Sequence, residues 1–223
     1  MLSLTACNQS KPSKETRFLL DTVVEITIYD DNSKKIIDEL FDKIEDMENK
    51  YSRYVEGSEI SEINSNPGTF VSVSEDTFEL VEHCLYFSAI SDGLFDISIG
   101  PLVDLWDING ENPKVPSRSE IDEAKNKINY RNIAVDRENR AVSVTDGMSI
   151  DPGAVAKGFI TDRLVAVLRE RKINSALLNL GGNLYMLGTK PDGSSWTIGI
   201  RDPYGLQRDY IATVSLKDMS IVT

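Results

Sequence analysis

An aspartate and a lysine that flank a helix start mark the segment of this chain best suited to chemistry. Residues 150–162 read IDPGAVAKGFITD, which predicts a strand end, a tight Pro-Gly turn and a helix that opens at Ala154. A helix start presents unpaired backbone N–H groups and a partial positive charge, which favour an anion. Lys157 lies one turn inside, where its ammonium can meet a phosphate. Asp151 lies just before it, where a carboxylate can accept a sugar hydroxyl, a ring N–H or a cation.

Each glycine-marked motif also has a purely structural explanation. Asp151 can simply cap the helix while Lys157 points to water. Residues 175–187, SALLNLGGNLYML, place two glycines between apolar runs. This pattern suits a buried strand that stops where the backbone must approach a ligand, and a plain Gly-Gly hairpin explains it equally well.

Charge and composition exclude several classes of function. The net charge is −12, which argues against a nucleic-acid surface or a patch that binds anionic membranes. A polyanionic ligand would therefore need a divalent cation beside it. The chain has one histidine, His83, and no cysteine cluster, so a zinc site is not expected. Histidine, the commonest general base, is therefore available at one position only.

The two cysteines have different expected roles. Residues 4–7, LTAC, resemble a bacterial lipobox in which Cys7 would carry the lipid, and a polar tether, NQSKPSKE, follows. Only six residues precede Cys7 and none is basic, so a chance match stays open. Cys84 lies in an apolar helical pattern and is expected to be a buried structural thiol.

Periodicity predicts the elements that must position these motifs. Strands are expected at residues 18–29, 132–135 and 141–144 and again from residue 175, with loops at 190–195 and 202–206. Helices are expected at residues 33–47, after Gly57, at 74–91, from 119 to 128 and from 154 to 172. Residues 91–106 are expected to be irregular and 110–118 a surface loop. No domain linker is evident past residue 16.

Five segments, taken in this order, resemble the ApbE family, the FAD:protein FMN transferases. They are SRYVEGSEISEIN, DGLFDISIGPLVDLW, IDPGAVAKGFITD, LLNLGGNLYMLG and WTIGIRDP. The resemblance runs from about residue 18 to the end of the chain. It implies an α+β fold of mixed or antiparallel sheets flanked by helices. No strand–GxGxxG–helix unit is present, so a Rossmann domain is not expected.

The resemblance also implies an activity. Such enzymes bind FAD with Mg²⁺ at its pyrophosphate and pass FMN to a threonine hydroxyl of an acceptor protein, releasing AMP. Acceptors include flavin-carrying subunits of Rnf and Nqr complexes, and the enzymes are often lipoproteins outside the bacterial cytoplasmic membrane. A transfer of this kind needs positioning and charge neutralisation more than a histidine base or a cysteine nucleophile.

Site residues follow from the resemblance position by position. FAD contacts are expected from Leu20, Tyr54, Leu94, Phe95, Asp96, Asp151 and Lys157, and a Mg²⁺ contact from the carbonyl of Ala154. No catalytic residue is assigned. Asp21 stands where the family often has glycine, in a Met-Gly-Thr segment that reads Leu20-Asp21-Thr22 here. The alternatives without a functional role are that Phe95 and Trp106 belong to the core and that Arg53 only pairs with Glu59.

The resemblance finally divides the chain. Residues 1–16 are expected to be a lipoprotein signal remnant and tether, and residues 17–223 the flavin transferase domain without its C-terminal part. The segment expected to follow would carry the Asp/Thr pair that completes the Mg²⁺ site. The chain is therefore expected to bind FAD weakly and to transfer FMN poorly. Alternatives are an FAD pyrophosphatase, a non-catalytic flavin-binding lipoprotein and a structural lipoprotein fragment.

Overall fold

The computed structural model describes residues 12–30, 33–108, 110–206 and 209–222. Within them the α-helices are α1 (Lys34–Tyr51), α2 (Glu59–Ser65), α3 (Glu75–Ile90), α4 (Gly100–Trp106), α5 (Arg118–Lys125) and α6 (Gly153–Glu170). The strands are β1 (Ser13–Leu19), β2 (Thr22–Ile28), β3 (Val71–Ser72), β4 (Ala134–Asp136), β5 (Ala141–Ser143), β6 (Ser175–Leu180), β7 (Asn183–Gly188), β8 (Trp196–Arg201), β9 (Tyr210–Leu216) and β10 (Met219–Val222).

Cys7 and its predicted lipid anchor lie outside the described residues. Among the described helices, none combines the length and the apolar character that a membrane crossing needs.

The chain divides into two compact units. Unit 1 comprises Met1–Glu45 and Ile160–Thr223, and unit 2 comprises Asp46–Phe159. Unit 1 contains an antiparallel sheet with the strand order β1-β2-β6-β7-β10 and a separate β8-β9 ribbon. Unit 2 contains a small antiparallel sheet with the order β3-β5-β4, together with α2 to α5.

Alternation of apolar residues builds the core of unit 1. Strand β6 buries every second side chain, because successive residues of a strand face opposite sides of the sheet, and β2 does the same with its apolar residues while Thr27 is buried on the other face. The buried side chains of these strands include Val24, Ile26, Ile28, Ala176, Leu178 and Leu180. On the ribbon, Trp196 is buried beside Met186 and Leu216, and its indole N–H donates a hydrogen bond to the Gly188 carbonyl at 3.1 Å.

Local capping sets the helix starts of unit 2. The Ser58 hydroxyl caps α2 by accepting the N–H of Ser61 at 3.0 Å. Ser117 and Glu120 form a reciprocal capping box at the start of α5. Side chains of Ser, Thr, Asp and Asn are favoured at these positions because they satisfy backbone N–H groups that have no partner within the helix.

The α+β prediction is confirmed, and three predictions of local structure need correction. Residues 18–29 do not form one strand, because Leu20 and Asp21 have φ values of 56° and 54° and make the two-residue turn between β1 and β2. Residues 91–106 are not wholly irregular, since α4 occupies their second half. The strand expected before Asp151 is only an isolated bridge between Ile99 and Ser149.

The Gly-Gly hairpin explanation for the second glycine motif is confirmed. Gly181 and Gly182 form the turn between β6 and β7, with φ values of 62° and 93°. A two-residue turn with positive φ at both positions has a twist that matches the right-handed twist of the two strands it joins. Glycine adopts this conformation without steric cost.

Candidate functional site

Asp151 joins the start of α6 to the loop that precedes α4. Its Oδ1 accepts the N–H of Gly153 at 2.9 Å, and its own backbone N–H donates to the Ile97 carbonyl at 2.8 Å. The capping explanation therefore accounts for one carboxylate oxygen. The other, Oδ2, lies 3.7 Å from a guanidinium nitrogen of Arg53, and the side chain remains 21% exposed. Asp151 is thus fixed in place and still open to a ligand.

Asn64, near the end of α2, holds the residue immediately before Asp151. Its Nδ2 donates to the Ile150 carbonyl at 3.0 Å, and its Oδ1 accepts the Ile150 N–H at 2.7 Å. The Asn64 side chain therefore satisfies both the backbone N–H and the backbone carbonyl of Ile150. This contact spans 86 positions in sequence, and no local pattern indicated it.

The alternative in which Arg53 only pairs with Glu59 is wrong. The Glu59 carboxylate instead accepts hydrogen bonds from the N–H and hydroxyl of Ser74 at 3.0 and 2.8 Å. The guanidinium of Arg53 contacts Asp104 at 2.7 Å as well as Asp151. An arginine in an acidic chain was the available signal, but its partners are distant in sequence and could not be chosen from spacing.

The loop that carries Leu94, Phe95 and Asp96 is organised by its aspartate. Asp96 Oδ1 accepts hydrogen bonds from the N–H and hydroxyl of Ser98 at 2.8 and 2.7 Å, and its Oδ2 accepts the N–H of Tyr130 at 3.0 Å. Phe95 is half-buried, whereas Leu94 is 95% exposed. Asp96 therefore shapes the loop, and Leu94 projects from it with an apolar surface available to a ring.

Tyr54 presents an exposed ring beside a cation. Its side chain is 72% exposed, and the Arg53 guanidinium carbon lies 5.2 Å from the ring centroid. An aromatic face in this position can stack on a planar ligand. Within unit 2, Arg53 therefore contacts both Tyr54 and Asp151. Asp151 in turn is hydrogen-bonded to Ile97, the residue after Asp96.

The remaining predicted residues differ in where they lie. Lys157 is half-buried in the first turns of α6, and Ala154 is exposed at its start. Trp106 is half-buried at the end of α4. Leu20 is half-buried in the hairpin turn of unit 1, so it is described with that unit alone.

The described residues do not form a magnesium site by themselves. They contain no group of three or more His, Cys, Asp or Glu side chains arranged to hold a metal ion. Mg²⁺ prefers six oxygen ligands, often including one or two carboxylates. The nearest carboxylate in sequence to Ala154 is Asp151, which already binds Gly153 and faces Arg53.

Fold and site together define an α+β protein in which a helix start, an aspartate and an arginine form one polar centre. A sequence model of the ApbE family matches residues 20–223. The chain belongs to the ApbE family.

Curated relatives agree with this assignment. The FAD:protein FMN transferase of Treponema pallidum is 31% identical over 202 residues, which cover 84% of this chain and 56% of that protein. The FAD:protein FMN transferase of Klebsiella pneumoniae is 33% identical over 168 residues, which cover 74% of this chain and 51% of that protein. The chain thus spans about half the length of these relatives.

Solved structures show the same fold. The ApbE protein of Thermotoga maritima superposes with a TM-score of 0.87 at 32% identity, covering 94% of this chain and 69% of that one. The flavin transferase ApbE of Vibrio cholerae superposes with a TM-score of 0.83 at 21% identity, covering 94% and 71% of the two chains. The second likeness concerns the fold alone.

Proposed function

We propose that this protein transfers FMN from FAD to a threonine hydroxyl of an acceptor protein. The hydroxyl oxygen would attack the phosphorus of the FMN half, the bond from that phosphorus to the bridging oxygen would break, with this oxygen leaving on AMP, and the hydroxyl proton would pass to water. AMP is the leaving group. The observation that carries the proposal is the start of α6, where Asp151 and Lys157 flank a helix N-terminus in a chain of the ApbE family.

The residues at this helix start suit a dinucleotide. The helix dipole favours the pyrophosphate, and the Lys157 ammonium adds a positive charge one turn away. Asp151 can accept a hydroxyl or ring N–H, while Tyr54 and Leu94 offer exposed surfaces for flavin or adenine. These groups bind and orient, and phosphoryl transfer depends mainly on such positioning.

The proposal extends to cofactor, acceptor and location. Mg²⁺ would supply charge neutralisation at the pyrophosphate, with the Ala154 carbonyl as one ligand, and the described residues do not complete its coordination. Acceptors would be flavin-carrying subunits of the Rnf and Nqr type. A lipid on Cys7 would anchor the protein to the extracytoplasmic face of the bacterial membrane.

The first experiment combines binding with product analysis. The protein is titrated with FAD by flavin fluorescence, then incubated with FAD, Mg²⁺ and an acceptor domain, with and without EDTA. AMP together with a fluorescent acceptor, both lost with EDTA, supports the transferase. AMP with free FMN, obtained with an acceptor known to be flavinylated by a relative, would favour an FAD pyrophosphatase. Tight FAD binding without AMP would favour a flavin-binding protein, and no FAD binding would overturn the proposal.

Variants test the site itself. Asp151→Ala and Lys157→Ala are each expected to raise the FAD dissociation constant about tenfold or more, because each removes a charged group worth about 1.5–3 kcal/mol in a hydrogen bond. Lys125→Ala, at the exposed end of α5, is the matched control and should leave FAD binding unchanged. Parent-like FAD affinity in both Asp151→Ala and Lys157→Ala would refute the site.

A further inference from the structure

Arg53 is a buried cation shared by two carboxylates. Only 7% of its side chain is exposed. One terminal nitrogen lies 2.7 Å from Asp104 Oδ2, and the other lies 3.7 Å from Asp151 Oδ2. Because the two terminal nitrogens of a guanidinium are held in one plane, fixing one of them on Asp104 fixes where the other points.

The surroundings of the guanidinium favour this single orientation. The nitrogen nearer Asp151 donates to the Gly100 carbonyl at 3.4 Å, and the nitrogen that binds Asp104 donates to the Ser149 hydroxyl at 3.4 Å. Nε is buried and has no hydrogen-bond partner within the described part of the chain. A buried guanidinium with an unsatisfied N–H is costly, so its placement is not explained as a surface ion pair.

Gly100 leaves the space that the guanidinium occupies. A Cβ added there would lie 3.0 Å from the Arg53 nitrogen that binds Asp104, and 2.2 Å from the Ser149 hydroxyl oxygen. The backbone N–H of Gly100 also donates to the Ser149 carbonyl at 3.1 Å. The approach of these two segments therefore requires a residue without a side chain at position 100.

We propose that Arg53 is a positioning residue that sets the Asp151 carboxylate for FAD, an inference that rests on the proposed function. Gly153 holds Oδ1 from the helix side, and Arg53 faces Oδ2 from the other. Arg53 also offsets the negative charge of Asp151 beside the phosphates of a dianionic ligand, in a chain of net charge −12. Asp104, whose side chain is exposed, holds the guanidinium on the solvent side.

The test compares two arginine variants with a matched control. Arg53→Ala is expected to raise the FAD dissociation constant about tenfold, since the Asp151 carboxylate loses the cation that faces it. The FAD dissociation constant of Arg53→Lys should lie between those of Arg53→Ala and the parent, because one ammonium cannot contact both carboxylates. The control is Arg137→Ala, which removes an exposed arginine paired with Glu82 at 2.8 Å and should leave FAD binding unchanged.

Two further measurements separate positioning from folding. Added guanidinium ion should restore part of the FAD affinity that Arg53→Ala loses and should leave the affinity of Arg137→Ala unchanged. In AMP release, Arg53→Lys should raise KM for FAD and leave kcat near that of the parent. If Arg53→Ala does not fold, Arg53→Lys carries the test together with Asp104→Asn, whose effect on FAD affinity should be smaller in the Arg53→Lys background than alone.

The outcomes distinguish this inference from the proposed function. If the parent protein does not bind FAD, the proposed function fails first. If the parent binds FAD and Arg53→Lys binds it equally well at the same KM, the positioning role is refuted while the proposed function stands.

Discussion

The side chain of Asn64 replaces two backbone partners of Ile150. The amide nitrogen and the amide oxygen of Asn64 each form one hydrogen bond with this residue, at 3.0 and 2.7 Å. Asn64 of α2 therefore holds the chain at Ile150, between the two points where Ser149 and Asp151 bond to the 97–100 segment. This explains why the expected strand before Asp151 is reduced to an isolated bridge at Ser149.

Asn64→Ala is expected to lower the free energy of unfolding by about 1–3 kcal/mol, because two polar backbone groups lose their partner. Urea denaturation followed by circular dichroism measures this loss. Asn66→Ala, which removes an exposed amide at the end of α2, is the control and should change stability by no more than about 0.5 kcal/mol. Equal stability of the two variants would contradict the structural role of Asn64.

Two glycines are expected to respond in opposite directions to alanine. Gly100→Ala should destabilise the protein by about 1–3 kcal/mol, because the new methyl group would collide with Ser149. Gly158→Ala should stabilise it by about 0.5–1 kcal/mol, because this glycine lies within α6 and a methyl group there would meet no atom within 4 Å. Thermal unfolding of both variants gives the signs, and a gain in Gly100→Ala would show that the close approach is absent.

Asp21→Gly is expected to raise the free energy of unfolding by about 0.5–1 kcal/mol. Asp21 has a φ of 54° in the hairpin turn, a conformation that costs an ordinary residue energy and a glycine none. Asp21→Ala is the matched comparison and should be less stable than Asp21→Gly, since it keeps the Cβ atom. Chemical denaturation of the three proteins should rank them with Asp21→Gly first, and any other leading variant would refute the strain argument.

Cys84 is expected to make stability fall at alkaline pH. Burial, with the negative charge of Asp151 as a smaller cause, raises the pKa of the Cys84 thiol from 9.0 to about 12. Between these values the unfolded chain has lost the thiol proton and the native protein keeps it, so rising pH favours unfolding. From about pH 8 to about pH 10.5 the parent should lose about 1–2 kcal/mol more than Cys84→Ala does.

The same burial predicts the reactivity of Cys84. The thiol should resist iodoacetamide in the native protein and react once urea unfolds it, because the thiolate is the reactive form. Cys84→Ala lacks this thiol and provides the background. Fast alkylation of native protein at Cys84, or a pH slope equal in the parent and in Cys84→Ala, would show that the thiol is not buried as described.

Sequence patterns predicted the elements of this fold better than their connections. Apolar periodicity indicated α1, α3 and α6 and the strands β4 and β5, and two glycines indicated the β6-β7 hairpin, because these signals lie within a few neighbouring positions. The β1-β2 turn was missed because it contains no glycine and because leucine, the residue at position 20, rarely adopts positive φ. Helix α4 was missed because its Gly-Pro start resembles a loop, although proline is well tolerated in a first turn.

The candidate site was only partly predictable for a related reason. The position of Asp151 and Lys157 at the start of α6 was predicted because a turn and a helix start leave a local signature; their contact with FAD stays a prediction. Arg53 and Asn64 act on that segment from 98 and 86 positions away. Such partners are chosen by tertiary packing, and the sequence offers only a cation in an acidic chain and an amide at the end of a short helix.

The hairpin turns of unit 1 also constrain how this chain can vary. A side chain at Gly181 would meet the Thr22 side chain, with a Cβ only 2.4 Å from its hydroxyl oxygen, and the Gly181 N–H donates to the Val23 carbonyl at 3.2 Å. The positive φ of Gly181 adds a second barrier at the same position. Positions 22 and 181 are therefore epistatic: a side chain at position 181 can be accommodated only after Thr22 has become smaller, and it still carries the cost of the positive φ.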